Sequence, residues 1–227
     1  HNDTRGDINY VNSEKIELSN YKRVLKNSDA ILVPGGFGNR GIEGMILAAR
    51  FARENKVPYF GICLGLQIAI IEMTRNLLNL KDANSTEFKP RTTNKVISLV
   101  TEWKNKDGTI EKRNKDSDKG GTMRLGAQNA SLLKESLARS LYKKKTIFER
   151  HRHRYEVNPD YVPMLENKGL VVSARSEVHN LVEMIELKDH PWFLGCQFHP
   201  EFTSKPKTGH PLFNDFIKTA VKLKNKK

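Results

Sequence analysis

Cys63 lies between two glycines in the run Gly61-Ile62-Cys63-Leu64-Gly65. This is the cysteine form of the G-x-S-x-G nucleophile elbow, a strand-to-helix turn that holds its nucleophile in a strained backbone and needs small neighbours to close. A helix starting just after the sulfur would aim its unpaired N–H groups at it and favour the thiolate over the thiol. The spacing alone also fits a core thiol in an ordinary strand–helix turn, because short motifs recur by chance.

A thiolate nucleophile needs a base, and the base needs an orienting group. Phe198-His199-Pro200-Glu201 offers both after an apolar strand, Trp192 to Phe198. Two residues apart in an irregular turn, Glu201 can accept from one ring nitrogen of His199 while the other faces the sulfur. Alone, His199 reads as a surface histidine; with the elbow, Cys63, His199 and Glu201 read as a triad. A third part is Pro34-Gly35-Gly36-Phe37-Gly38. Its spacing matches neither a P-loop nor a dinucleotide fingerprint. Backbone N–H groups of Gly36 and Leu64 suit an oxyanion hole, in which one donor is worth ~3 kcal/mol of transition-state stabilisation.

These three pieces need elements to bring them together. Ala30 to Val33 and Val57 to Ile62 read as buried strands, and Ile42 to Asn55 and Leu64 to Asn76 as helices. Alternation of this kind predicts parallel β-α-β units, with sites in the loops beyond the strand carboxyl ends. Short strands are expected near Ile8 to Val11 and Lys15 to Leu18, and a helix end at Tyr21 to Lys26. Lys95 to Trp103 alternates like a strand, and Asn105 to Gly108 predicts a hairpin turn into Thr109 to Arg113. Asn114 to Gly121 reads as a loop and Thr122 to Ala127 as a strand. Helices are expected at Ser136 to Tyr142, Asp160 to Asn167 and Leu212 to Leu223, and strands at Gly169 to Arg175 and Leu181 to Leu187. The expected fold is α/β: a mostly parallel central sheet flanked by helices, with an added antiparallel hairpin region, as one domain over residues 1–227.

Composition narrows the class. Of 227 residues, 37% are apolar and 29% charged, which suits a soluble globular chain. No apolar run approaches the ~20 residues of a membrane span, and no leader is visible. The chain starts at His1, which points to a fragment. Cys63 and Cys196 lack a C-x-x-C partner, so a reduced, cytoplasmic setting is expected, with Cys196 a buried inert thiol. The net charge of +13 could serve a polyanion, but no nucleic-acid-binding signature accompanies it, so a lysine-rich solvated surface is the better reading. His151 and His153 lack further ligands at metal spacing. Alternating Arg150, Arg152 and Arg154 would share a face on a strand, one meeting a substrate carboxylate and the others forming ion pairs.

Pro34-Gly35-Gly36, Gly61-x-Cys63-x-Gly65-x-Gln67 and His199-Pro200-Glu201 together resemble the class I glutamine amidotransferases. Further stretches are similar to the glutaminase domains of the CTP synthases: Gly35 to Gly44, Asn84-Ser85-Thr86-Glu87-Phe88, Gly120 to Gly126, Glu149 to Asn158 and Cys196 to Ser204. They run in order from about Ala30 to the C-terminus. The resemblance implies that Cys63 attacks the side-chain amide of L-glutamine, giving a γ-glutamyl thioester and ammonia. His199 would shuttle protons, Glu201 would orient it, and Gly36 and Leu64 would form the oxyanion hole. Glutamine would be held by Gly36, Leu64, Gly65, Leu66, Gln67, Glu87 and Arg154, with Glu87 on the amino end. The domain itself would carry no cofactor and no metal. ATP and magnesium belong to a synthetase domain of the same polypeptide, which aminates UTP to CTP with the ammonia. GTP is the implied allosteric activator, and the full-length protein is expected to be a homo-oligomer, with neither nucleic acid nor membrane as partner. No P-loop-type motif is present, so the synthetase domain is not among these residues. A strand and helix that open the family's domain before the region of Asp3 are not found. The alternative is the glutaminase domain of another triad amidotransferase, such as that of GMP synthesis; Asn84 to Phe88 and Arg150 to Asn158 argue against it.

Overall fold

Three short apolar segments lie side by side in register and in parallel. β1 (Ile31–Val33) pairs with β2 (Tyr59–Ile62), which pairs with β12 (Phe193–Cys196). Side chains alternate across this strip as a two-residue period requires. Tyr59 and Phe193 stack 4.5 Å apart on one face, while Phe60 and Leu194 point to the other.

The computed structural model describes residues 4–99, 102–104, 110–112 and 123–226. In chain order the other strands are β3 (Asn84–Ser85), β4 (Lys95–Leu99), β5 (Glu102–Lys104), β6 (Ile110–Lys112), β7 (Arg124–Leu132), β8 (Thr146–His153), β9 (Tyr155–Val157), β10 (Leu170–Ser176) and β11 (Val182–Leu187). The helices are α1 (Tyr21–Leu25), α2 (Ile42–Asn55), α3 (Leu64–Leu77), α4 (Leu137–Tyr142), α5 (Val162–Glu166) and α6 (Pro211–Lys224). Among the described residues, the strands form a seven-stranded sheet in the order β1-β2-β12-β11-β10-β7-β8, a small sheet β3-β4-β9 and the pair β5-β6.

The expected α/β architecture is present. Parallel pairing occupies the half of the sheet where strands and helices alternate, β1, β2 and β12. The four remaining ladders are antiparallel. Residues 177–181 and 188–192, which join β10 to β11 and β11 to β12, are too few for the crossover that a parallel partner needs. The sheet curls along this antiparallel half, so that β8, at the end of the strand order, returns to β12: the N–H of His199 donates to the Arg150 carbonyl at 2.8 Å.

α2 presents Ile42, Ile46, Ala49 and Ala52 to the core at helical spacing. It ends where Lys56 turns left-handed and its N–H closes on the Ala52 carbonyl. α3 is buried on every side from Leu64 to Thr74, the pattern of a helix enclosed by other elements. It reaches the sheet closely because Gly61 and Gly195 lack side chains: a Cβ on Gly61 would overlap the Gly65 backbone, and one on Gly195 would press on Leu66. The opposite face of the sheet is covered by α4 and α6, with Phe60, Trp192 and Phe216 in mutual ring contact.

Several expectations fall differently. No strand forms at Ile8 to Val11, whose Ile8 and Tyr10 side chains are exposed; an alternating run needs a neighbouring strand to pair with, and none lies there. Lys15 to Leu18 is likewise not a strand. Ser13–Lys15 is a 3₁₀ turn capped by the Asn12 side chain and packed on Gly41 and Gly44 of α2's first turn. The strand expected over Thr122 to Ala127 is β7, which runs on to Leu132 because β8 pairs along it; Thr122 itself lies outside the described residues. The antiparallel partners β5 and β6 flank the expected hairpin turn, whose residues 105–109 lie outside the described residues, as does the expected loop at 114–121.

Candidate active site

Because β1, β2 and β12 run in parallel, their carboxyl ends share one edge of the sheet. Val33 leads there into Pro34-Gly35-Gly36, Ile62 into Cys63, and Cys196 into Gln197 and His199. Topology alone thus gathers the glycine loop, the cysteine and the histidine, 164 residues apart at the extremes (His199 less Gly35).

Cys63 sits at φ 51, ψ −98, the N-cap of α3. A non-glycine residue in such a conformation costs ~1–3 kcal/mol and persists only where its surroundings impose it. Here the Cys63 N–H is pinned to the Cys196 carbonyl at 2.7 Å. Gly65 lets the first turn of α3 close over Val33, whose carbonyl a Cβ would overlap, and the Tyr59 hydroxyl donates to the Gly65 carbonyl at 2.9 Å. The elbow is therefore held by β1, β2 and β12 together.

His199 Nδ1 lies 2.7 Å from Glu201 Oε1, and the two side chains share the turn Pro200–Phe202. Burial raises the Glu201 carboxyl, but the hydrogen bond and charge of His199, a backbone N–H and the charge of His210 together outweigh it, leaving the carboxylate below its ordinary range. The Phe202 ring lies flat on the imidazole, 4.9 Å away at 13°. His199 Nε2 is buried and has no hydrogen-bond partner among the described residues. Gly35 separates the imidazole from the cysteine: a Cβ there would stand 2.7 Å from His199 Cε1 and 3.5 Å from Cys63 Cβ. Gly36 is packed beside Leu64 in the same way.

The expectation of a thiol ready-made as thiolate is corrected. Burial pushes the Cys63 thiol up to about 12; the Leu64 N–H draws it down, and Glu156, Glu201 and Glu87 push it further up. A helix N-terminus offsets only part of the cost of a desolvated negative charge. The resting group is the neutral thiol, so a proton must leave as the sulfur attacks.

Glu87 meets the glycine loop, and the charge of Arg154 acts on Glu87. Glu87 accepts from the Gly38 N–H at 2.8 Å; burial raises its pKa, while Gly38 and the charge of Arg154 lower it. Arg154 Nε is buried with no hydrogen-bond partner among the described residues. A half-buried carboxylate and a guanidinium with a spare donor suit the two charged ends of an amino acid. Arg150 and Arg152 share the outer face of β8 as expected, but Arg152 lies over the Phe37 ring at 5.9 Å, and it is the Arg150 carbonyl that serves the site. His151 and His153 face inward instead.

The residues expected around the substrate divide. Gly36 and Leu64 adjoin the cysteine, Glu87 bonds the glycine loop at Gly38, and the charge of Arg154 bears on Glu87. Leu66 turns its side chain wholly into the core against Gly195, so only its backbone could meet a ligand. Gln67 is buried, and its amide donates to the Tyr155 carbonyl at 3.0 Å and to Gln197 Oε1 at 3.3 Å. Sequence reasoning passed over Gln197, whose Nε2 approaches Cys63 Sγ at 3.7 Å. The signal available was its place two residues before His199 on an inward-facing strand end. It also passed over Glu149, which accepts from the Tyr142 and Thr203 hydroxyls and pairs with His210 at 2.9 Å, bracing the turn that carries Glu201.

Comparison with known proteins agrees with this geometry. A family model described as Glutamine amidotransferase class-I matches residues 4–219. The glutaminase domain of Trypanosoma brucei CTPS, solved with bound acivicin, superposes with a TM-score of 0.84 at 40% identity, covering 96% of this chain and 82% of that one. A Thermoplasma acidophilum protein assigned to GMP synthase shares the fold, with a TM-score of 0.53 at 17% identity over 91% of this chain and 79% of that one. The cysteine elbow at a shared strand edge, the histidine–glutamate turn beside it and the match along nearly the whole length lead to one assignment: the chain belongs to the class-I glutamine amidotransferases, and within them it resembles the glutaminase domain of CTP synthase.

Proposed function

We propose that the chain hydrolyses the side-chain amide of L-glutamine and supplies the ammonia for amination of UTP to CTP. The observation that carries this reading is the placement of His199, paired to Glu201 at 2.7 Å, across Gly35 from the strained Cys63 elbow. Glu87 takes the substrate's ammonium and Arg154 its carboxylate, which places the side-chain amide over Cys63. His199 Nε2 accepts the thiol proton as the sulfur attacks the amide carbon. The N–H groups of Gly36 and Leu64 hold the oxygen of the tetrahedral intermediate. The proton on His199 passes to the departing nitrogen, ammonia leaves, and a γ-glutamyl thioester remains. Water, deprotonated by the same imidazole, then releases glutamate and restores the thiol. Glu201 keeps one tautomer of His199 and stabilises the imidazolium at each stage.

No step of this half-reaction calls for a cofactor. The amination of UTP, with its ATP and magnesium, belongs to a synthetase domain. GTP activation, homo-oligomerisation and a cytoplasmic setting follow from the resemblance to CTP synthase and stand as proposals with it. Among the described residues no helix is long and apolar enough to cross a membrane. The test is direct. The chain should release glutamate and ammonia from glutamine, and Cys63→Ala should abolish release while the far-UV spectrum stays native. Wild-type turnover in the variant would overturn the assignment. Glutamine-dependent CTP formation on mixing with a synthetase domain tests the second half of the reading.

A further inference from the structure

We propose that Gln197 is a catalytic residue of this site: its side-chain amide, oriented through Gln67, donates to the Cys63 sulfur and stabilises the attacking thiolate. The proposal rests on the glutaminase reading above and adds to it the group that makes a buried thiolate accessible.

The orientation of the two amides follows from one fixed point. The Tyr155 carbonyl can only accept, so Gln67 must turn its NH₂ toward it, at 3.0 Å. The same nitrogen lies 3.3 Å from Gln197, and its second hydrogen needs an acceptor, which sets Gln197 Oε1 toward Gln67. Gln197 Nε2 is then left facing Cys63 Sγ at 3.7 Å. Flipping Gln197 would set two NH₂ groups against each other and an oxygen lone pair against the sulfur. The backbone of Gln197 is fixed as well, its N–H donating to the Glu183 carbonyl at 2.8 Å. Gln197 is fully buried, and Gln67 and Cys63 are nearly so, so bulk water does not replace this donor.

The surroundings of the sulfur explain the need for it. Carboxylates approach from three elements: Glu156 on β9, Glu201 on the turn after β12, and Glu87 after β3. Against them stand the Leu64 N–H at the start of α3 and the Gln197 amide, with His199 as the base. When the S–H proton moves to His199 Nε2, charge on the sulfur peaks before the C–S bond forms. A fixed N–H donor then acts at its strongest, and it weakens once the sulfur is a neutral thioester. The donor therefore favours the attacking state over the resting neutral thiol, which is what accelerates acylation.

The experiment compares the wild-type chain with Gln197→Leu and Gln197→Met, which keep bulk without a donor, and with Gln67→Leu. The rate of Cys63 carbamidomethylation by iodoacetamide is followed by mass spectrometry between pH 7 and 9, with an added small thiol as reference, beside kcat and KM for glutamine. Both Gln197 variants should react at Cys63 about tenfold more slowly across this range and lose about tenfold in kcat with KM unchanged. Gln67→Leu should move Cys63 reactivity in the same direction but less, since Gln197 is then free to turn. An unchanged alkylation rate in a folded Gln197 variant overturns the proposal, whatever happens to turnover. A rise in KM with unchanged thiol reactivity would make Gln197 a substrate contact and equally overturn it. Alkylation is read without glutamine, so absence of glutaminase in the wild type would sink the functional reading and leave this measurement standing.

Discussion

Cys63 and Cys196 are both buried thiols raised above their ordinary range, yet only one is placed for chemistry. Cys63 lies at the elbow beside His199, whereas Cys196 is inside β12 with its sulfur 3.5 Å from the Phe198 carbonyl. An electrophile shaped like glutamine should therefore modify Cys63 and spare Cys196. Peptide mass spectrometry checks this, and a label found mainly on Cys196 would contradict the assignment of the site. At this scale it was positions, rather than states, that could be read in the sequence. Cys63, His199, Glu201, Gly36 and Leu64 were recognisable because each sits at a strand end or in a glycine-flanked turn. The state of the thiol was not, since it depends first on how deeply folding buries the sulfur and then on carboxylates, among them Glu156 and Glu87, that folding brings near. Gln197 was missed for a related reason: its role depends on two amide contacts made across the fold, with Gln67 and Cys63.

The elements around the site carry their own constraint, which is the space left by glycine. At Gly35 an added methyl would meet the far edge of the His199 ring rather than backbone. Gly35→Ala should leave the fold intact and displace the imidazole. A misplacement of about 1 Å at a reacting group costs on the order of 10²-fold in rate. Steady-state kinetics beside a thermal melt would check it, and near-wild-type turnover would contradict the packing described. Gly65→Ala should behave differently, because its methyl would collide with the Val33 carbonyl and no side chain can move aside. Overpacking of this kind costs about 1–3 kcal/mol, readable as a lower urea midpoint.

A second constraint at this scale is the buried group of charges that ties β7, β9 and β11. Arg124 bonds Glu156 at 3.0 Å and Glu183 at 2.6 Å, and His153 bonds Glu156 at 2.7 Å. Glu183 is pushed up to about 7 by burial, against the pull of Arg124 and with the help of Glu156. A carboxyl whose folded pKa exceeds the unfolded value of 4.5 gives its full stability below 4.5 and loses it as pH rises through about 7. Glu183→Gln cannot ionise, so its melting temperature should gain on the wild type's as pH goes from 5 to 8; a difference that stays constant or shrinks would contradict the shift. Helices α2 and α3 were readable to within a residue because their apolar spacing is set by the face or faces they bury. β10 and β11 were readable to within a residue as well, whereas the two-residue strand β3 and the pairing of β7 with both β8 and the distant β10 were harder to read, since they depend on contacts made only in the fold.

Across the whole molecule, an excess of 13 positive charges accompanies a site proposed to take an amino acid. Glu87 and Arg154 at the site carry opposite signs, and no phosphate cradle follows from the glycine loop, whose N–H at Gly38 is already given to Glu87. The chain should bind duplex DNA only weakly. A fluorescence titration at two salt concentrations checks this, and tight binding with a steep salt slope would revive a polyanion partner.

A thiol that attacks glutamine at the elbow must pass through a covalent intermediate, which acid-quenching the chain during turnover should trap. Digestion and mass spectrometry should find a γ-glutamyl group on the peptide that contains Cys63, and none on that containing Cys196. Steady release of ammonia with no adduct at Cys63, or with the adduct on Cys196, would contradict the account.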